Sequence, residues 1–213
     1  MAPARRCRWQ SRIFRRNFQN YSDDDVLLQT GVSFPISYAS ARIIGEEVRL
    51  EVPRCGRFSG YVSYANQSGL GEGPITGGLF IGSDANNALT DTSKFSVSQD
   101  QRNTLRARIR FQAGRHLWFA AATQYGSGLP AEVGDNPDVG SLIEQFGPQV
   151  VSHVNLTIGG VGPNFSLDPA TGAEFYRKET RSEQFQLEAT NITDRLNVIN
   201  FASLFSGTAA LPK

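Results

Sequence analysis

The chain has 213 residues and a formal net charge of +1, a near-neutral balance that excludes the strong basic excess of a nucleic-acid-binding domain. Hydrophobic residues at 39% and charged residues at 19% fall below the usual shares of a soluble globular protein, and 21 glycines imply many turns, so an all-β fold is expected. No run of about 18 apolar residues occurs, which excludes a transmembrane helix and leaves a crossing made of strands open.

The chain begins with Arg5, Arg6, Arg8, Arg12, Arg15 and Arg16 before any acid, interleaved with Trp9, Phe14 and Phe18. This stretch lacks the apolar centre of about 7–15 residues that marks a secretory signal. A basic arm of this kind suits nucleic acid or anionic lipid. The later acidic residues compensate its charge and no nucleic-acid fold signature accompanies it, so residues 1–22 are read as a disordered leader before a domain covering 23–213. Asp23, Asp24 and Asp25 read as solvated carboxylates rather than a cation site. Cys7 and Cys55 read as unrelated free thiols, since no CxxC or His-Cys spacing accompanies them.

Strand patterns follow. Val48, Leu50 and Val52 alternate with Glu47, Arg49 and Glu51, and after Pro53 to Gly56 a second strand sets Phe58, Gly60, Val62 and Tyr64 against Arg57, Ser59, Tyr61 and Ser63. Residues 66–101 are rich in Gly, Asn, Asp and Ser and read as a long loop. The clearest pattern is a hairpin at 101–125. Leu105, Ala107, Ile109 and Phe111 alternate with Arg106, Arg108, Arg110 and Gln112, and Ala113 to Arg115 separate this strand from the apolar run Leu117 to Tyr125. Arginines on alternate residues cannot occupy a dry core without partners, so Arg49, Arg106, Arg108 and Arg110 must face water or a wet lumen. Residues 126–149 read as a second long connection, Val150 to Ile158 as an alternating strand with His153 on its polar face, and 159–180 as a connection of middling length. Gln184 to Thr190 form the last clear strand.

Short turns at 53–56 and 113–115 alternate with long loops at 66–101 and 126–149, which sends every long loop to one end. Outer-membrane barrels sort their loops this way, and a soluble sandwich has no reason to. Tyr38, Phe58, Tyr64, Phe111, Trp118 and Tyr125 near strand ends fit the aromatic girdles of such a barrel. No enzyme is expected, with neither cofactor nor metal. His116 falls in a turn, neither GxSxG nor HExxH occurs, and GLGEGP at Gly69 to Pro74 lacks a strand-to-helix context. Asp84, Asp91 and Asp100 do not have EF-hand spacing.

The runs DDDVLLQTGVSFPISYASARIIGEEVRLEVPRCGRFSGYVSYAN, PITGGLFIG, SQDQRNT, YGSGLPAEVG and LEATNITDRLNVINFASLFSGTA resemble the C-terminal barrel portion of TonB-dependent outer-membrane receptors of the Oar-like type. The resemblance covers nearly everything from Asp23 onward. It implies an antiparallel transmembrane β-barrel, here partial with about six to eight strands, located in the cell outer membrane. It further implies ligand uptake energised through TonB, with lipid and the rest of the receptor, plug included, as partners and no nucleic acid. The expectation is a fragment without plug, TonB-contacting box or closing strand, not competent for transport alone. The arginines then line a lumen and pair with carboxylates of the plug or of neighbouring strands. Two other readings remain: a soluble β-sandwich that binds carbohydrate, and a surface adhesin-like barrel without transport.

Overall fold

The computed structural model describes residues 7–27, 32–77, 94–131, 138–178 and 181–198. Among these the chain forms β1 (Arg8–Leu27), β2 (Val32–Cys55), β3 (Phe58–Gly77), β4 (Lys94–Ser96), β5 (Asn103–Gln112), β6 (Leu117–Gly126), α1 (Val139–Phe146), α2 (Pro148–Val151), β7 (Val154–Asn155), β8 (Gly160–Val161), β9 (Asn164–Lys178) and β10 (Arg181–Glu188). One antiparallel eight-stranded sheet dominates, in the order β1-β2-β3-β5-β6-β9-β10, with β4 paired onto β3. The protein is all-β in character, and the sheet is open, with β1 and β10 at its edges.

Consecutive strands pair as an up-and-down meander. Two-residue or four-residue turns join β2 to β3 and β5 to β6 at one end, here called the lower end. Connections of many residues leave β3 and β6 at the upper end, where the short stretch 28–31 also joins β1 to β2, so the long connections share one end without that end being reserved for them.

Four expectations are corrected. From Arg8 onward the segment read as a disordered leader is β1, paired with β2 from Arg8 to Leu27 except at Asn20. Its arginines have a physical role there, because the register sets Arg8 opposite Glu51 and Arg12 opposite Glu47, the cross-strand arrangement that favours opposite charges. The loop expected at 66–101 is shorter at both ends, since β3 continues to Gly77 and β4 returns along it. Glycine is what permits this: a Cβ on Gly71 would lie 2.7 Å from the Phe95 ring, so the bare backbone makes room for an aromatic side chain from β4.

The strand expected over Val150–Ile158 is instead α2 followed by the two-residue β7. Pro148 opens a helical turn and the apolar residues serve a small core rather than a sheet face. The connection expected at 159–180 contains β9, hidden because Asp168, Pro169 and Gly172 read as breakers. Pro169 fits because its carbonyl accepts from the Ala189 amide at 3.0 Å, just beyond the last ladder pair with β10, Glu188 with Ala170. Its missing donor therefore faces a stretch where regular pairing has stopped.

Two clusters of buried residues sit at the upper end. Ile36, Tyr38, Ile75 and Val97 form one, with Tyr21 and Phe95 packed against it. Ala131, Leu142, Val151, Val154 and Val161 form the other, inside the β6–β9 connection. There α1 starts where the Asp138 carboxylate accepts from the Gly140 amide at 3.0 Å and the Ser141 amide at 3.3 Å. The connection is stitched to the sheet by the Ser127 amide, which donates to the Asn103 carbonyl at 2.9 Å.

Candidate functional site

Register places the side chains of the sheet in rows, and across β2, β3 and β5 the rows separate largely by polarity. On one face Val48, Tyr64, Leu105, Tyr125 and Phe165 lie side by side across β2, β3, β5, β6 and β9. Two residues lower the row is Leu50, Val62, Ala107, Thr123 and Leu167, and below it Val52, Gly60, Ile109, Ala121 and Pro169. The next holds Phe58, Phe111, Phe119 and Thr171 and reaches Leu187 on β10. Trp9 and Ile13 of β1 extend this face opposite Leu50 and Glu46.

Nothing among the described residues covers that face. Trp9 is 76% exposed, Ile109 54% and Leu187 61%. The opposite face shows the reverse: along β2 and β3 the polar side, Glu47, Arg49, Glu51, Tyr61 and Ser63, is the less exposed one. Along β5 the order is the other way, with Arg106, Arg108 and Arg110 exposed and Leu105, Ala107 and Phe111 half-buried. What departs from a water-soluble sheet is that large apolar side chains such as Trp9, Ile109 and Leu187 have no layer over them among the described residues.

The apolar face has definite borders. From the Tyr125 row to Leu117 it extends for about 27 Å along the strand at roughly 3.4 Å per residue. At a strand tilt of about 40° this gives about 20 Å of height, close to the ~25 Å apolar band of outer-membrane barrels. Above it the row changes to Glu46, Asn66 and Asn103. Asn103 marks this border, its side-chain oxygen accepting from the Tyr64 hydroxyl and from the Asn66 amide, both at 2.7 Å. Tyr64 and Tyr125 stand at the upper border, and Phe58 and Phe111, 4.9 Å apart, at the lower one. Tyr38 and Trp118 do not belong to these girdles: Tyr38 is buried in the upper cluster and Trp118 lies on the polar face.

The structure brings the four expected arginines together on that polar face. Arg49 and Arg106 share a row with Ser63 and Gln124, Arg108 aligns with Tyr61 and Ala122, and Arg110 with Ser59 and Ala120. Arg49 lies over the Tyr61 ring at 4.8 Å and Arg110 over the Trp118 ring at 4.3 Å. Among the described residues the ion pair is elsewhere, Arg102 with Asp100 at 2.8 Å. Two members of the ladder, Arg49 and Arg110, thus rest on aromatic rings.

His153 has the Ser152 hydroxyl 3.4 Å from its Nδ1, and His116 lines a cavity that Glu174 also lines. His116 is in the β5–β6 turn, and His153 follows α2, where its Nδ1 is 2.8 Å from the Gln149 carbonyl, so its expected place on a strand is corrected. Asp100 is buried and accepts from the Gly69 amide at 2.8 Å, an anchor for the upper strands rather than a loop carboxylate. Asp84, Asp91 and residues 199–213, where no closing strand was expected, lie outside the described residues. Among the described residues no group of three His, Cys, Asp or Glu side chains is placed to hold a metal. Cys7 and Cys55 are both exposed free thiols.

Sequence reasoning found the arginine ladder but missed Trp118 as its support. Its parity was available: Trp118 alternates with Leu117 and Phe119, which puts it on the arginine side of the hairpin. Comparison of the chain with protein-family models, with curated proteins and with solved structures finds no match in any of the three.

Proposed function

We propose that this chain forms part of the wall of a transmembrane β-barrel in the cell outer membrane, of the TonB-dependent receptor type, and serves ligand uptake as a section of that larger assembly. The carrying observation is the exposed apolar band that runs in register from β1 to β10. Keeping a side chain of the Leu or Phe class in water forgoes about 1.5–3 kcal/mol. A domain has a net stability of only about 5–15 kcal/mol, so a whole face of such residues needs an apolar medium. Lipid supplies it on one side, and the arginine face then borders an aqueous lumen.

Loop sorting supports the same reading, with the long connections on the outer side where ligand arrives. The open edges at β1 and β10 call for further strands to satisfy their backbone groups in lipid. Those strands, and a plug through which TonB acts, are the partners this reading requires. A soluble sandwich needs a second apolar layer over the band, and among the described residues no other sheet packs there.

The test is folding of the purified full chain from urea into phosphatidylcholine vesicles, compared with dilution into detergent-free buffer. Vesicles are expected to yield β structure, co-flotation with lipid and protection of 44–64 and 105–125 from protease. A folded, monomeric, protease-resistant species in plain buffer would overturn the reading.

A further inference from the structure

The lower end of the polar face opens into a cleft of about 630 Å³, of the size of a small-molecule site. Its walls carry Arg54 at the end of β2, Arg57 in the β2–β3 turn, Arg110 on β5, and Arg115 with His116 in the β5–β6 turn, against Glu174 on β9. Four guanidinium groups thus converge on one cavity with a single carboxylate among its lining residues.

Three of these guanidinium groups, those of Arg54, Arg57 and Arg110, are positioned by contacts that leave most of their donors for a ligand. Arg57 donates from Nη1 to the Ala113 carbonyl at 3.4 Å, and Arg54 from Nε to the Gly56 carbonyl at 3.3 Å. Arg110 is held by its face, stacked on Trp118. Trp118 is itself buried and sits against Gly172, which gives the stack a fixed base. A guanidinium carries five N–H donors, and none of these contacts uses more than one. Holding the fork in place beforehand lowers the ordering cost when an anion arrives.

We propose that this cleft is a binding site for a small polyanion bearing phosphate or carboxylate groups, which arginine forks engage bidentately. The site lies at the end opposite the long connections and is formed by strand register and two tight turns, so it stands whether or not the sheet is part of a receptor. The salt dependence of binding follows from its charge.

The test is calorimetric titration of the full chain in zwitterionic detergent micelles with inorganic pyrophosphate and, separately, with citrate. Saturable binding of either is expected, and the tighter of the two identifies phosphoryl or carboxylate chemistry. Arg110→Gln and Arg57→Gln should each weaken it about tenfold, as loss of a charge-assisted hydrogen bond does. Arg106→Gln, on the same face but outside the cleft, should leave it nearly unchanged. Arg110→Lys keeps the charge without the fork and should fall between. Near-ultraviolet dichroism identifies the variants that retain the fold, and Arg57→Gln, in an exposed turn, carries the test if changes at Arg110 unfold the sheet. Absence of saturable binding, or equal weakening by Arg106→Gln and the cleft variants, would overturn the proposal.

Discussion

Trp118 lies against Gly172, its register partner across β6 and β9, so closely that a Cβ on the glycine would come within 2.6 Å of the indole ring. The pairing joins the centre of the sheet to its β9 side and fixes the ring on which Arg110 rests. Glycine in mid-strand normally weakens a sheet, and here it supplies the space the indole occupies.

Gly172→Val is accordingly expected to push the indole away and destabilise the protein by about 1–3 kcal/mol, the usual cost of overpacking. Urea titration of the micelle-embedded chain measures the loss, and a red shift of tryptophan emission, read in a Trp9→Phe background, reports the displaced ring. Unchanged emission would mean that the contact does not hold the indole.

Val62 stands in the middle of the apolar band, between Leu50 and Ala107. Val62→Arg should therefore reduce the free energy of folding into vesicles by about 2–4 kcal/mol, the cost of arginine at a bilayer midplane. Arg106→Ser, next in sequence to Val62's partner Ala107 but on the other face, should have a much smaller effect. Equal effects of the two would contradict the assignment of faces.

Asp100 ties the segment before β5 to β3, accepting from the Gly69 amide and pairing with Arg102 while being itself buried. Asp100→Ala leaves a buried amide without its acceptor and should cost about 1–3 kcal/mol. Hydrogen exchange would show the loss locally, as faster exchange in the upper part of β3 and at Val97, with β5 and β6 unaffected.

The cap of α1 responds to pH. The Ser141 hydroxyl donates to the Asp138 carboxylate at 2.6 Å, and together with the Ser141 and Gly140 amides it holds this carboxyl below the usual aspartate range. A depressed folded value means that the cap contributes above the unfolded value, about 3.9, and loses its contribution as pH falls through the lower folded value. Exchange protection of the first turn of α1 should thus be constant from about pH 5 to 7 and decline below about 4. Asp138→Asn should remove the decline.

The sequence by itself determined which residues share a face. A period of two puts Leu105, Ile109 and Phe111 on one side and Arg106, Arg108 and Arg110 on the other whatever their surroundings, because successive side chains of an extended chain point apart. It determined the two lower turns for the same local reason, since Gly56 and Gly114 interrupt clean alternations. Tertiary structure decided what lies beside what. β1 is a strand because β2 offers it a ladder to pair with, in a register that sets Arg8 and Arg12 opposite Glu51 and Glu47, and β9 accommodates Pro169 and Gly172 because pairing to β10 ends at one and Trp118 fills the space at the other. Alternation is a property of one strand, whereas charge pairing, glycine-filled contacts and a cleft between turns are properties of neighbours. Which residues become neighbours is set by register across the sheet, and register cannot be read from one strand alone.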